Sequence, residues 1–117
     1  LAYVTKLQDP MLDELFDAIL LLEDQEDCYR FFEDLCTVGE LKAMAQRWKV
    51  VKMLEENRTY TDIVEETGAS TATISRVKRC LHFGADGYLR ILQRGMNKKQ
   101  STTELLTRKK ADDKITE

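Results

Sequence analysis

Side chains that bind metals or carry out catalysis are scarce in this chain. His82 is the only histidine, and the three cysteines, Cys28, Cys36 and Cys80, are widely spaced with no Cys-x-x-Cys pair. A lone histidine cannot build a His-based metal site or supply a catalytic triad unaided, and an odd set of scattered thiols suits neither a zinc site nor a disulfide framework. The sequence has no glycine-rich phosphate loop and no grouping of nucleophile, base and orienting residue, so we expect no enzyme, no cofactor and no metal. Proline occurs once and glycine five times in 117 residues, which is little for a loop-rich or disordered chain. The balance of 43% hydrophobic and 33% charged residues is that of a helical globular domain. The longest apolar run, residues 18–22, is far short of a membrane span, and no basic start leads into an apolar segment and a small-residue cleavage site. The expectation is a cytoplasmic protein with no membrane partner.

Residues 59–81 organise what is present, as two short helices around a glycine turn. Thr59 is placed to cap the first helix, with Asp62 three residues on as a capping-box partner and Ile63 and Val64 supplying apolar contacts. Gly68 ends that helix, since glycine tolerates a left-handed backbone, and the chain reverses through Ala69 and Ser70. In the second helix Ile74, Val77 and Leu81 recur at three- and four-residue steps, which leaves Thr71, Thr73, Arg76, Lys78 and Arg79 toward solvent. This is a helix-turn-helix pattern, and hydroxyls with guanidinium groups are what a helix in the major groove uses on phosphates and base edges. The same pattern also occurs as plain scaffold in helical domains.

Around this unit the chain predicts further helices. Asp9-Pro10 starts one that runs to about Glu23, with a wide apolar stripe of Met11, Leu12, Leu15, Phe16, Ile19, Leu20 and Leu22 that invites a second chain. Residues 24–27 connect to an aromatic helix holding Cys28, Tyr29, Phe31, Phe32 and Leu35. Thr37 and Glu40 have capping-box spacing and open a long third helix, to about Asn57, through Leu41, Met44, Ala45, Trp48, Val51, Met53 and Leu54. After a two-glycine turn, a short sixth helix spans Tyr88 to Arg94 and closes at Gly95. Residues 1–96 read as one domain, and 97–117 as a polar tail, either a frayed helix or disordered.

Charge is divided along the chain although its sum is only −3. Residues 1–40 hold eleven acids against Lys6 and Arg30, leaving −9, while residues 70–100 hold seven Lys or Arg against Asp86 alone, leaving +6. Screening over roughly 8 Å at physiological salt lets such a local basic face meet phosphate on an acidic protein.

This order of helices, with Gln46-Arg47, residues 68–76 and residues 84–88, resembles the Trp repressor superfamily over residues 12–94, nearest its YerC/YecD-type branch. The resemblance implies an all-α, six-helix fold with a helix-turn-helix and an intertwined homodimer, in which the N-terminal helices of both chains form one core. It further implies double-stranded DNA as partner, with half-sites about 34 Å apart as for the Trp repressor. By the same resemblance Arg47 and Arg76 match the two arginines that flank the Trp repressor's corepressor, and Thr37 matches a threonine at the ligand's amino end. Val77 and Cys80 replace a glycine and a serine there. Extra methyl groups in a packed site typically cost about 1–3 kcal/mol, and a thiol is a poor acceptor for ammonium, so L-tryptophan is not expected to be a corepressor.

The expectation is therefore a homodimeric, sequence-specific transcriptional regulator, a repressor by its family. Thr71, Thr73, Ser75 and Arg76 would lie nearest the bases, with Lys78, Arg79, Arg90 and Arg94 on phosphate and Ser70 also among the DNA-binding residues. Two alternatives stay open. One is a sensor of an amino acid or other small-molecule effector at Thr37, Arg47, Arg76, Val77 and Cys80, against which stands simple surface or phosphate contact by the two arginines. The other is a helical protein–protein interaction module.

Overall fold

Side-chain caps set most of the helix boundaries. The computed structural model describes the backbone of residues 3–115 and the side chains of residues 3–100, 106 and 107. The helices are α1 (Pro10–Ile19), α2 (Gln25–Leu35), α3 (Val38–Glu55), α4 (Tyr60–Thr67), α5 (Thr71–Phe83) and α6 (Gly87–Ile115). They divide into two units, Leu1–Lys42 and Ala43–Glu117, with the boundary inside α3.

In the first unit, Asp9 accepts the Leu12 N–H at 3.3 Å and Pro10 takes the first helical position, where a missing amide costs nothing. α1 stops at Ile19 rather than near Glu23. The Leu21 and Leu22 amides turn to the carbonyls of Ala18 and Ile19, at 3.1 Å each, which tightens the last turn. Glu23 then donates its amide to Asp27 Oδ2 at 3.1 Å, and Asp24 accepts the Asp27 N–H at 2.8 Å. As the cap of α2, Asp24 must be extended (φ −148°), so α1 cannot continue through it and α2 begins at Gln25. Phe31 and Phe32 pack edge to face, centroids 5.4 Å apart.

No described residue of this unit is buried. Of the apolar stripe read in the sequence, Met11, Phe16 and Leu20 are exposed, Met11 and Leu20 by 77% and 81%, while Leu12, Leu15, Ile19 and Leu22 are half-buried. Thr37 and Glu40 form the expected reciprocal box: the Glu40 amide donates to Thr37 Oγ1 at 3.1 Å and the Thr37 amide to Glu40 Oε1 at 2.9 Å. Accepting that backbone N–H, and to a lesser degree bonding the Thr37 side chain, holds the Glu40 carboxyl below its ordinary range.

The second unit carries the core: Val50, Val51, Met53, Ile63, Ala69, Ile74, Val77 and Leu81, with Trp48, Leu54, Tyr60, Tyr88, Leu89 and Leu92 packed around it. α3 ends in a Schellman turn, with Asn57 left-handed (φ 59°), its amide on the Leu54 carbonyl at 3.0 Å and the Arg58 amide on Met53 at 3.0 Å. Arg58 then binds Glu66 at 3.0 Å, Asp62 at 3.5 Å and Glu56 at 3.8 Å. Thr59 caps α4 through the Asp62 amide at 3.1 Å, and Gly68 (φ 71°) ends it. Ser70 caps α5 through the Thr73 amide at 3.1 Å. α5 closes at Gly84, where a Cβ would strike the Cys80 carbonyl.

The sixth helix does not close at Gly95; it runs from Gly87 to Ile115, 29 residues or about 43 Å. Gly95 keeps a helical backbone, with no positive φ. An interior glycine costs a helix about 1 kcal/mol relative to alanine, a penalty that weakens the helix without ending it.

Candidate nucleic-acid interface and the cavity beside it

The outward face of α5 is built by its inward one. Ile74 and Val77, no more than 2% exposed, and Leu81 anchor the helix on the core, which leaves Thr71, Ser75, Arg76, Lys78 and Arg79 exposed. Ser70, at the cap, is exposed as well. Thr73 departs from the expected solvent face: it is half-buried, and its Oγ1 lies 3.0 Å from Ser70 Oγ. Lys78 Nζ stands 5.7 Å from the centroid of the Tyr60 ring, close enough for cation–π attraction. On α6, Arg90 and Arg94 are exposed one helical turn apart. Cationic and hydroxyl groups therefore populate the outer surfaces of α5 and the start of α6.

Behind α5 lies a cavity of about 370 Å³ lined by Arg47, Thr73, Arg76, Val77, Cys80 and Tyr88. Four of the five residues suggested as a ligand pocket thus meet: Arg47 from α3 and Arg76, Val77 and Cys80 from α5. Val77 is 2% exposed and forms an apolar wall. The fifth, Thr37, belongs to the other unit, where its hydroxyl accepts the Glu40 amide. Neither Arg47 nor Arg76 pairs with a carboxylate among the described residues.

Two lining residues escaped the sequence reading. Tyr88 was expected only to pack on the core; it does lean on Trp48, ring centroids 6.3 Å apart, and also borders the cavity. Thr73 was assigned to the DNA face alone. No local pattern marks either, because each needs α3, α5 and α6 to meet. Among the described residues, no group of three or more His, Cys, Asp and Glu could hold a metal ion, and no helix is long and apolar enough to cross a membrane.

Comparison with known proteins agrees with this architecture. The family model described as Trp repressor protein matches residues 10–96. The uncharacterised protein YerC of Bacillus subtilis (strain 168) is 57% identical over 91 residues, spanning 78% of this chain and 88% of that protein. A crystal structure from Staphylococcus aureus superposes with a TM-score of 0.74 at 59% identity, covering 79% of this chain and 91% of its own. That of a TrpR-like protein from Eubacterium eligens ATCC 27750 gives 0.74 at 55% identity, covering 76% and 92%. The fold is that of non-catalytic regulators, in line with the expectation of a protein that is not an enzyme. With its six helices, its helix-turn-helix and these relatives, the chain belongs to the Trp repressor protein family.

Proposed function

We propose that this protein is a cytoplasmic, sequence-specific transcriptional regulator that acts as a homodimer, with α5 of each subunit in the major groove at two symmetric half-sites. The observation that carries this reading is α5 itself: capped by Ser70, held by buried Ile74, Val77 and Leu81, and presenting Thr71, Ser75, Arg76, Lys78 and Arg79 outward. Thr71, Thr73, Ser75 and Arg76 read bases, Ser70 adds a further DNA contact at the start of the helix, and Lys78, Arg79, Arg90 and Arg94 seat the protein on phosphate. Repression is the sign its family suggests. The uncovered apolar residues of α1 and α2 support a second copy of the chain as the dimer partner, because an amphipathic stripe is stable only when covered. Residues 1–96 form the DNA-binding domain and 97–117 an appendage to it.

Selection of bound fragments from a random-sequence duplex pool at moderate salt tests the proposal. An enriched palindrome with half-sites about one helical turn, roughly 34 Å, apart supports it. Unenriched binding that vanishes as salt rises refutes it.

A second reading has its own observation. The cavity at Arg47, Arg76, Val77 and Cys80 supports a small-molecule effector site, and Val77 and Cys80 in its lining speak against L-tryptophan as the ligand. A third reading, an interaction module for another protein, rests on the same apolar stripe that a dimer would cover, and monomeric behaviour in sedimentation would favour it.

A further inference from the structure

Most of α6 buries nothing. Tyr88, Leu89 and Leu92 hold its start on the core, but every described side chain from Gln93 onward is exposed, residues 93–100 together with Leu106 and Thr107. The family likeness stops at residue 96, while the helix runs on through residues 97–115, about 28 Å at 1.5 Å per residue. Helical stability in proteins comes chiefly from a packed face. An extension that packs on nothing therefore points to a partner, and its charge indicates which kind.

Between residues 87 and 100, α6 carries Arg90, Arg94, Lys98 and Lys99 and no Asp or Glu. Arg90, Arg94 and Lys98 recur every fourth residue, and at 3.6 residues per turn each step rotates only about 40°, so the three form one stripe roughly 12 Å long. Tyr88, Leu89 and Leu92 occupy the other side of the same helix, where they meet the core. The stripe thus faces away from the protein. Lys99 falls off it, about 140° round the helix from Arg94. Beyond Leu92 the exposed large hydrophobics among the described residues are Met96 and Leu106, too far apart to supply the closely spaced apolar anchors with which a helix fills a protein groove.

We propose that the α6 extension is a DNA-flanking arm: the stripe of Arg90, Arg94 and Lys98 follows the phosphate backbone outside the half-site entered by α5. The inference rests on the DNA reading of α5. α6 packs on α5, so recognition helix and stripe are carried by one body. One strand of a duplex presents a phosphate about every 3.4 Å of axis, and cations about 6 Å apart along a helix each meet one. Phosphate contacts carry no sequence information. The arm accordingly adds affinity and fixes orientation without changing the bases that are read.

The test uses the full chain and two duplexes, the selected palindrome alone and the same palindrome extended on both sides by one helical turn, about ten base pairs, of unrelated sequence. Affinities are measured by fluorescence anisotropy over a salt series. The wild type should bind the longer duplex more tightly whatever the flanking sequence, with a steeper salt dependence. Lys98→Gln, which exchanges one good helix former for another on an exposed position, should shrink that gain. On the longer duplex it should also lower the salt slope by about 2, for one contact from each subunit of a dimer. Lys99→Gln removes the same charge from a different side of the helix and should keep the gain. Equal affinity for the two duplexes, a gain that survives in Lys98→Gln, or equal losses in the two lysine variants overturns the arm and leaves the DNA reading of α5 standing. Failure to bind either duplex refutes that reading, and the arm with it.

Discussion

Gln46 Nε2 donates to the carbonyl oxygen of Thr67 at 3.0 Å, tying the middle of α3 to the last residue of α4. The acceptor is one of the helix-end carbonyls that no intrahelical amide reaches. Thr67 Oγ1 bonds back to the Ile63 carbonyl at 2.6 Å and accepts the Ala69 amide at 3.1 Å. One glutamine and one threonine thus brace the turn between α4 and α5.

Removing that brace should show in stability. Gln46→Leu leaves a half-buried carbonyl without its partner, and a cost of about 1 kcal/mol is expected in urea unfolding. An unchanged midpoint and slope would show that water replaces the bond without loss.

The glycines at 68 and 95 should respond in opposite directions to alanine. Both have open space where a Cβ would go, so only the backbone decides. At Gly68 (φ 71°) alanine must enter the left-handed region, and Gly68→Ala is expected to lose about 1 kcal/mol. Gly95 lies inside α6, where Gly95→Ala should gain about 0.5–1 kcal/mol. Thermal melts of the two variants check the pair.

Acid should loosen the start of α3. The Glu40 carboxyl is held below its ordinary range by the Thr37 amide, so the capping box contributes fully above the ordinary glutamate pKa. Its contribution is lost as pH falls through the lower, folded-state value. Glu40→Gln keeps the acceptor without the titrating charge. The difference in stability between wild type and this variant should therefore change on acidification, and equal pH profiles would count against the box.

On DNA, two classes of substitution should separate. Ser75→Ala or Thr71→Ala is expected to cost about 1–3 kcal/mol at one base position, whereas Arg90→Met or Arg94→Met should weaken all sequences alike and lower the salt slope by about 1. Affinities measured over a salt series on selected and scrambled duplexes distinguish them, and the reverse pattern would overturn the assignments.

Features made by residues close together in the chain were legible without coordinates. The Asp9, Thr37 and Thr59 caps and the turn at Gly68 each depend on bonds spanning three or four residues, and so does the inward spacing of Ile74, Val77 and Leu81. Where neighbouring signals competed, the same local reading erred: Asp24 as a cap outweighed the apolar run that seemed to carry α1 to Glu23, and Gly95 proved too weak a breaker for α6. The family likeness, carried by residues 68–76 and 84–88, was legible too, since it is a matter of residue order.

Only tertiary structure decided the rest. Val50, absent from the expected core, is fully buried because α3 lies against α4 and α5. Tyr88 and Thr73 joined Arg47 and Arg76 around one cavity because three helices converge there, and the Gln46 to Thr67 bond spans 21 residues. Sequence by itself determined where helices start and which face of each is apolar, because backbone capping and side-chain period are local properties. Which side chains share a cavity depends on helix packing, and no local period encodes that.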